Sequence, residues 1–99
     1  MQVTDQLQAD IARGNRADLL LKDDLLSGAF DKLEAEYLAA WKATKYNDTD
    51  GRERLWQSIQ IVGKVRTHLQ SAVTDGKLAQ AEVDHLRTMG ERKKIFGVV

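Results

Sequence analysis

The sequence predicts an all-α protein, an antiparallel helical hairpin with short flanking helices at both ends. Its 99 residues contain no proline, the residue that most strongly interrupts helices. Apolar residues recur at steps of three and four along most of the chain, which is the spacing of one helical face. A chain of this length forms one domain. We therefore expect a single helical domain over residues 1–99, with the hairpin at its core over residues 24–76.

The first flanking helix is predicted over residues 2–13, where Val3, Leu7 and Ile11 follow one another at steps of four. Gly14 and Asn15 come next, and this pair favours a break in the helix. Residues 18–22 then form either a separate helical turn or the start of the next helix.

The first arm of the hairpin is predicted from Asp24 to about Tyr46. Its apolar positions alternate steps of four and three, which is a heptad seam: Leu26, Phe30, Leu33, Tyr37, Ala40 and Thr44. Acidic residues cluster at the start of this segment and lysines at its end, as the helix dipole favours. Asn47 and Asp48 are expected to form the turn.

The second arm is the longest predicted helix, from an N-cap at Asp50 to a stop at Gly76. Glu53 completes a capping box with Asp50, and Gly76 stands where a left-handed C-terminal glycine is usual. One side of this helix carries Leu55, Ile59, Ile61, Val62, Val65, Leu69, Ala72 and Val73. Such a stripe covers roughly 160°, against the ~100° of a simple two-sided contact, so the helix should pack against more than one neighbour.

Folding the second arm back on the first sets Trp41 level with Trp56, next to the turn. The same register sets Arg66 close to Glu34, and we expect a salt bridge there. Both tryptophans are expected to lie in one aromatic cluster that closes the end of the hairpin.

A shorter helix is predicted over residues 78–89, followed by a basic and apolar tail over residues 90–99. An apolar end after a basic cluster should dock on its own domain or on a partner. We expect a homo-oligomer or stable binding to a larger protein. The expected contact residues are Ile61, Gly63, Val65, Ile95, Phe96, Val98 and Val99.

Charge does not favour nucleic-acid binding. Residues 1–50 carry ten Asp/Glu against six Lys/Arg (−4), and residues 51–99 carry five against nine (+4). A nucleic-acid-binding domain usually has a clear basic excess; here the candidate contacts are Arg92, Lys93 and Lys94. A helix-turn-helix around Ala72 and Gly76 is an alternative, but its reading helix would present Glu82 and Asp84 to phosphate.

No catalytic, cofactor or metal site is predicted. Cysteine is absent, and the two histidines, His68 and His85, lack partners at ligand spacing. A calcium loop beginning at Ser71 fails because Val73 would have to supply an oxygen ligand from its side chain. The N-terminus has no signal-peptide core and no apolar run has transmembrane length. A cytoplasmic location is therefore expected.

The middle half of the chain resembles small helical proteins encoded by tailed bacteriophages and prophages of proteobacteria. The matching features are Leu33-Glu34, Trp41-Lys42, Asp50-Gly51-Arg52-Glu53, Leu55-Trp56, Lys64-Val65-Arg66 and Gly76-Lys77. The resemblance implies a small component of the virion or of its assembly. A DNA-packaging adaptor similar to a small terminase subunit, and a host-directed inhibitor, are the alternatives.

Overall fold

The computed structural model describes the backbone of residues 2–97, which form three helices and two short connections, and the side chains of residues 3–91. Helix α1 spans Gln2–Lys22, α2 spans Asp24–Ala43 and α3 spans Thr49–Gly97. These residues contain no strand. The prediction of an all-α protein is confirmed.

Helix α3 sets the length of the molecule. Its 49 residues correspond to about 73 Å of helix, close to the 78 Å length of the whole protein. Helices α1 and α2 lie one after the other along α3 and make few contacts with each other. The other two dimensions are 26 and 17 Å. Because one helix with its side chains is about 10–12 Å across, the molecule is two helices wide and little more than one thick.

The predicted short flanking helices are wrong, because two glycines that read as helix stops lie inside helices. Helix α1 continues through Gly14 to Lys22, and α3 continues through Gly76 and through residues 90–97 without a separate helix at 78–89. No described glycine has a positive φ. Gly14 and Gly76 instead face each other where α1 crosses α3. A Cβ on Gly14 would lie 2.8 Å from the Gly76 Cα and 2.9 Å from the Ala72 carbonyl oxygen. Both glycines therefore permit a close helix approach.

A single extended residue, Asp23, separates α1 from α2. Its backbone has φ −71° and ψ 119°, and its carboxylate accepts a hydrogen bond from the Leu26 amide at 2.9 Å. This is the geometry of an N-cap, which satisfies one of the free amides in the first turn. The amide and hydroxyl of Thr44 both donate to the Trp41 carbonyl oxygen, at 3.2 and 2.6 Å, and end α2.

Helix α3 begins at Thr49, so its cap is Asp48 and the predicted cap at Asp50 is wrong. The Gly51 amide donates to Asp48 Oδ1 at 3.0 Å, and the Arg52 amide donates to the Asp48 carbonyl oxygen at 3.1 Å. Asp50 instead lies in the first turn. The other half of the predicted capping box, Glu53, accepts a hydrogen bond from the Gln57 side chain at 3.4 Å.

This cap gives a first prediction. Replacing Asp48 by Ala should lower the free energy of unfolding by about 0.5–2 kcal/mol, the usual cost of losing an N-cap. Replacing Asp50 by Ala is the matched control, because it removes only a favourable charge near the helix start, worth about 0.3–1 kcal/mol. Urea unfolding followed by circular dichroism compares the two. An Asp50 variant that is the less stable of the pair would contradict the observed cap.

The interior of the protein is a thin seam between α3 and the other two helices. Among the described side chains, the buried hydrophobic ones are small: Ala17, Val62 and Ala79. Half-buried residues extend the seam along α3 at heptad spacing: Leu55, Ile59, Arg66, Leu69, Val73 and Val83. The seam of α2 is shifted from the predicted one, since Glu34 and Trp41 are half-buried while Leu33 and Ala40 are exposed.

Candidate protein interface

Large apolar side chains stay exposed beside the seam between α2 and α3. We call Leu33, Ile61 and Val65 the apolar face; their exposed fractions are 37%, 60% and 43%. Ile61 and Val65 are four residues apart on α3, so their side chains are neighbours. That Ile61 and Val65 make contacts with a partner stays a prediction. Leu33, which was predicted to lie in the seam, is exposed as well.

The orientation of Val65 follows from its neighbours on α3. Buried Val62 marks the side of α3 that faces α2. At 3.6 residues per turn, Arg66 lies about 40° to one side of that direction and Val65 about 60° to the other. Arg66 and Val65 therefore occupy opposite edges of the seam.

An ion-pair network covers the edge that Arg66 occupies. The Arg66 guanidinium donates to Asp31 Oδ1 at 2.6 Å and to the Ser27 carbonyl oxygen at 3.3 Å, and it lies 3.8 Å from Glu34 Oε1. Its Cζ is 5.2 Å from the centre of the Phe30 ring. The predicted proximity of Arg66 to Glu34 is confirmed, with Asp31 as the closer partner. The hydrogen bond to Asp31 and the nearby carboxylates raise the pKa of Arg66 above its ordinary value.

The apolar face lies at the edge away from this network. Leu33 follows Asp31 by two residues and is therefore about 160° around α2 from it, while Val65 is turned away from Arg66 on α3. Gly63 was predicted to join Ile61 and Val65, but it is two residues from each and points to the other side of α3. A Cβ on Gly63 would meet no atom within 4 Å.

Aromatic residues line an open groove at the end of the molecule where α2 meets α3. The groove has a volume of about 570 Å³ and is lined by Trp41, Tyr46, Thr49, Arg52, Glu53 and Trp56. Arg52 places its guanidinium 4.4 Å from the centre of the Trp41 ring and donates to Thr44 Oγ1 at 3.0 Å. Trp41 is half-buried beneath it, whereas Trp56 is 51% exposed. The two tryptophans share the groove, but they do not form the closed cluster that was expected.

The other two ion pairs among the described side chains are local. Arg13 lies 3.2 Å from Asp10, and Lys22 lies 2.8 Å from Asp18, each pair within one turn of α1. Within residues 3–91, no group of three or more His, Cys, Asp or Glu residues is arranged to hold a metal ion. Across the described helices, no segment has both the length and the apolar character needed to cross a bilayer.

Several predicted contact residues lie where side chains are not described. Arg92, Lys93, Lys94, Ile95 and Phe96 belong to the last turns of α3, of which only the backbone is described. The other two, Val98 and Val99, lie beyond residue 97, outside the described residues. Among the described contact candidates, the structure brings Ile61 and Val65 together and adds Leu33 to them.

These features define an elongated all-α protein with a thin interior and an apolar face along one side. No family model, curated protein or solved structure matches the chain.

Proposed function

We propose that this chain is a non-enzymatic structural or assembly component of a tailed bacteriophage and that it acts through protein–protein contacts. The observation that carries the proposal is the exposure of Leu33, Ile61 and Val65 on a molecule whose buried hydrophobic side chains, among those described, are one valine and two alanines. Exposed apolar side chains that cluster on one face usually mark a contact surface. The assignment to a phage rests on the sequence resemblance of the middle half of the chain.

The unit that presents this face is proposed to be an antiparallel hairpin of α2 and α3. Two sets of contacts support this arrangement. Near the connection between the helices, Arg52 contacts Trp41 and Thr44. Further along α3, Arg66 contacts Asp31, which lies earlier in α2. Contacts that advance along one helix and retreat along the other are those of antiparallel neighbours.

The proposal places the protein in the host cytoplasm during assembly or in the particle itself. Mass spectrometry of purified particles and of assembly intermediates, from the phage that encodes the chain, tests this directly. We expect its peptides in at least one of the two fractions. Their absence from both throughout infection would contradict the proposal and favour a host-directed role.

A complementation experiment ties the role to the apolar face. In a phage lacking the gene, supplying the wild-type chain should restore plaque formation, and supplying the Ile61→Asp variant should not. Gln60→Asp is the matched control, because it places the same charge at an exposed polar position one residue away. Circular dichroism verifies that both variants remain helical. Full complementation by Ile61→Asp would exclude a role for this face.

A further inference from the structure

The surface area of the chain exceeds what a compact monomer of its mass exposes. The chain has 8052 Å² of accessible surface and a mass of 11.1 kDa. A compact monomer of that mass exposes about 5,650 Å², so the excess is about 2,400 Å². A standard protein–protein interface covers only about 800 Å² on each partner, and obligate dimers bury about 2,000–5,000 Å² in total. The excess is therefore large enough for an obligate interface.

We infer that the occupant of the apolar face is a second copy of this chain, and that two copies form a four-helix bundle whose two-fold axis runs parallel to their length. This inference rests on the proposed role of the face in protein contacts and names its partner. A single chain is 17 Å thick, which is one layer of helices. Stacking a second layer on Leu33, Ile61 and Val65 encloses them between four helices, as in other four-helix bundles.

The charge of the two helices favours this axis. Helix α2 carries four Asp/Glu against two Lys/Arg, a net charge of −2. Residues 49–70 of α3, which lie beside α2, carry four Lys/Arg against two Asp/Glu, a net charge of +2. A two-fold axis along the molecule places each α3 over the partner's α2, so helices of opposite net charge are stacked and neighbouring helices are antiparallel. An axis across the molecule would place α3 on α3, with like charges opposed.

The two arrangements differ in where the two α2–α3 connections lie. With the axis along the molecule, both connections are at the same end of the bundle. Helices that pack together are 8–10 Å apart, so the two copies of Asn47 should lie within about 20 Å of each other. With the axis across the apolar face, the connections point in opposite directions. The axis then passes at the level of Gly63, midway between Ile61 and Val65. Each connection lies one Thr49-to-Gly63 rise away from the axis, in opposite directions, so the two connections are at least about 40 Å apart.

The absence of cysteine makes this distance measurable. We would introduce Asn47→Cys into the full chain, attach a spin label, and measure the distance between labels by pulsed electron paramagnetic resonance. Light scattering should give twice the 11.1 kDa chain mass, and the label distance should be about 20 Å or less. A dimer with labels 40 Å or more apart would overturn the proposed axis. A monomer at ~100 µM would overturn self-association.

A variant that introduces charge on the apolar face completes the test. The double variant Ile61→Lys and Val65→Lys should halve the mass measured by light scattering, whereas Gln60→Lys should leave it unchanged. If the double variant is not helical, the label distance in the otherwise native chain still decides the question. A monomer that is nonetheless found in purified particles would overturn the dimer and leave the phage role standing. A dimer that is absent from particles and assembly intermediates would overturn the phage role and leave the dimer standing.

Discussion

Replacing Gly14 by Val should lower the free energy of unfolding by about 1–3 kcal/mol, the usual cost of overpacking a closely packed contact. The new Cβ would lie 2.8 Å from the Gly76 Cα and 2.9 Å from the Ala72 carbonyl oxygen. Both neighbours are backbone atoms, so no side-chain rotation can relieve the contact and α1 must move away from α3. Urea unfolding, followed by circular dichroism at a fixed protein concentration, measures the effect.

Gly28→Ala is the control for this variant. Gly28 also lies inside a helix, α2, but a Cβ there would meet no atom within 4 Å. Alanine is preferred to glycine in a helix by about 1 kcal/mol, so this variant should be more stable than the wild type. The two substitutions should therefore shift the urea midpoint in opposite directions. A Gly14→Val midpoint equal to or above that of the wild type would show that α1 and α3 are not in close contact there.

The prediction of a helix stop at Gly76 was wrong for a reason that the local sequence does not contain. A glycine at the end of a helix and a glycine at a helix crossing have the same local pattern, and Asp75 before Gly76 resembles a helix stop. The two cases differ only in whether another helix lies against the glycine. In this protein that helix is α1, which brings Gly14 to Gly76 across a separation of 62 positions in the sequence. No local rule contains this information.

The start of α3 illustrates a smaller error of the same kind. Asp48 and Asp50 are both good N-cap residues, and the capping-box pattern with Glu53 favoured Asp50. The observed helix begins two residues earlier, where Asp48 can accept from the Gly51 amide. Residue preferences locate a helix start to within a few positions, and the path of the connecting segment selects among them.

Part of the candidate interface was predictable because the apolar stripe of α3 is wider than one neighbour can cover. That excess width identified Ile61 and Val65, and both are exposed. The contribution of α2 was not predictable from its apolar pattern, because the half-buried positions of that helix include the polar residues Ser27 and Glu34. The half-buried positions include Glu34 and Trp41, next to two cations of α3, Arg66 and Arg52. The half-buried side of α2 is therefore rotated by one residue from the predicted side, and Leu33 lies on the surface.

Replacing Trp41 by Ala should lower the free energy of unfolding by about 2–3 kcal/mol, somewhat less than the 3–5 kcal/mol of a tryptophan in a closed core. Trp41 is half-buried between α2 and α3, and its ring carries the Arg52 guanidinium at 4.4 Å. Removing the ring leaves a cavity and takes away the surface on which Arg52 lies. Thermal unfolding followed by circular dichroism measures the loss.

Trp56→Ala is the matched control, since Trp56 lines the same groove but is 51% exposed. It should cost less than half as much, because much of its surface is already in contact with water. A double-mutant cycle with Arg52→Met then separates the cation–π contact from the packing of the Trp41 ring, and the coupling should be about 0.5–1 kcal/mol. Equal losses for the two tryptophans would contradict the exposed position of Trp56 in the groove. Zero coupling would mean that Arg52 does not rest on Trp41 in solution, and the stability of this end of the molecule would then come from apolar packing alone.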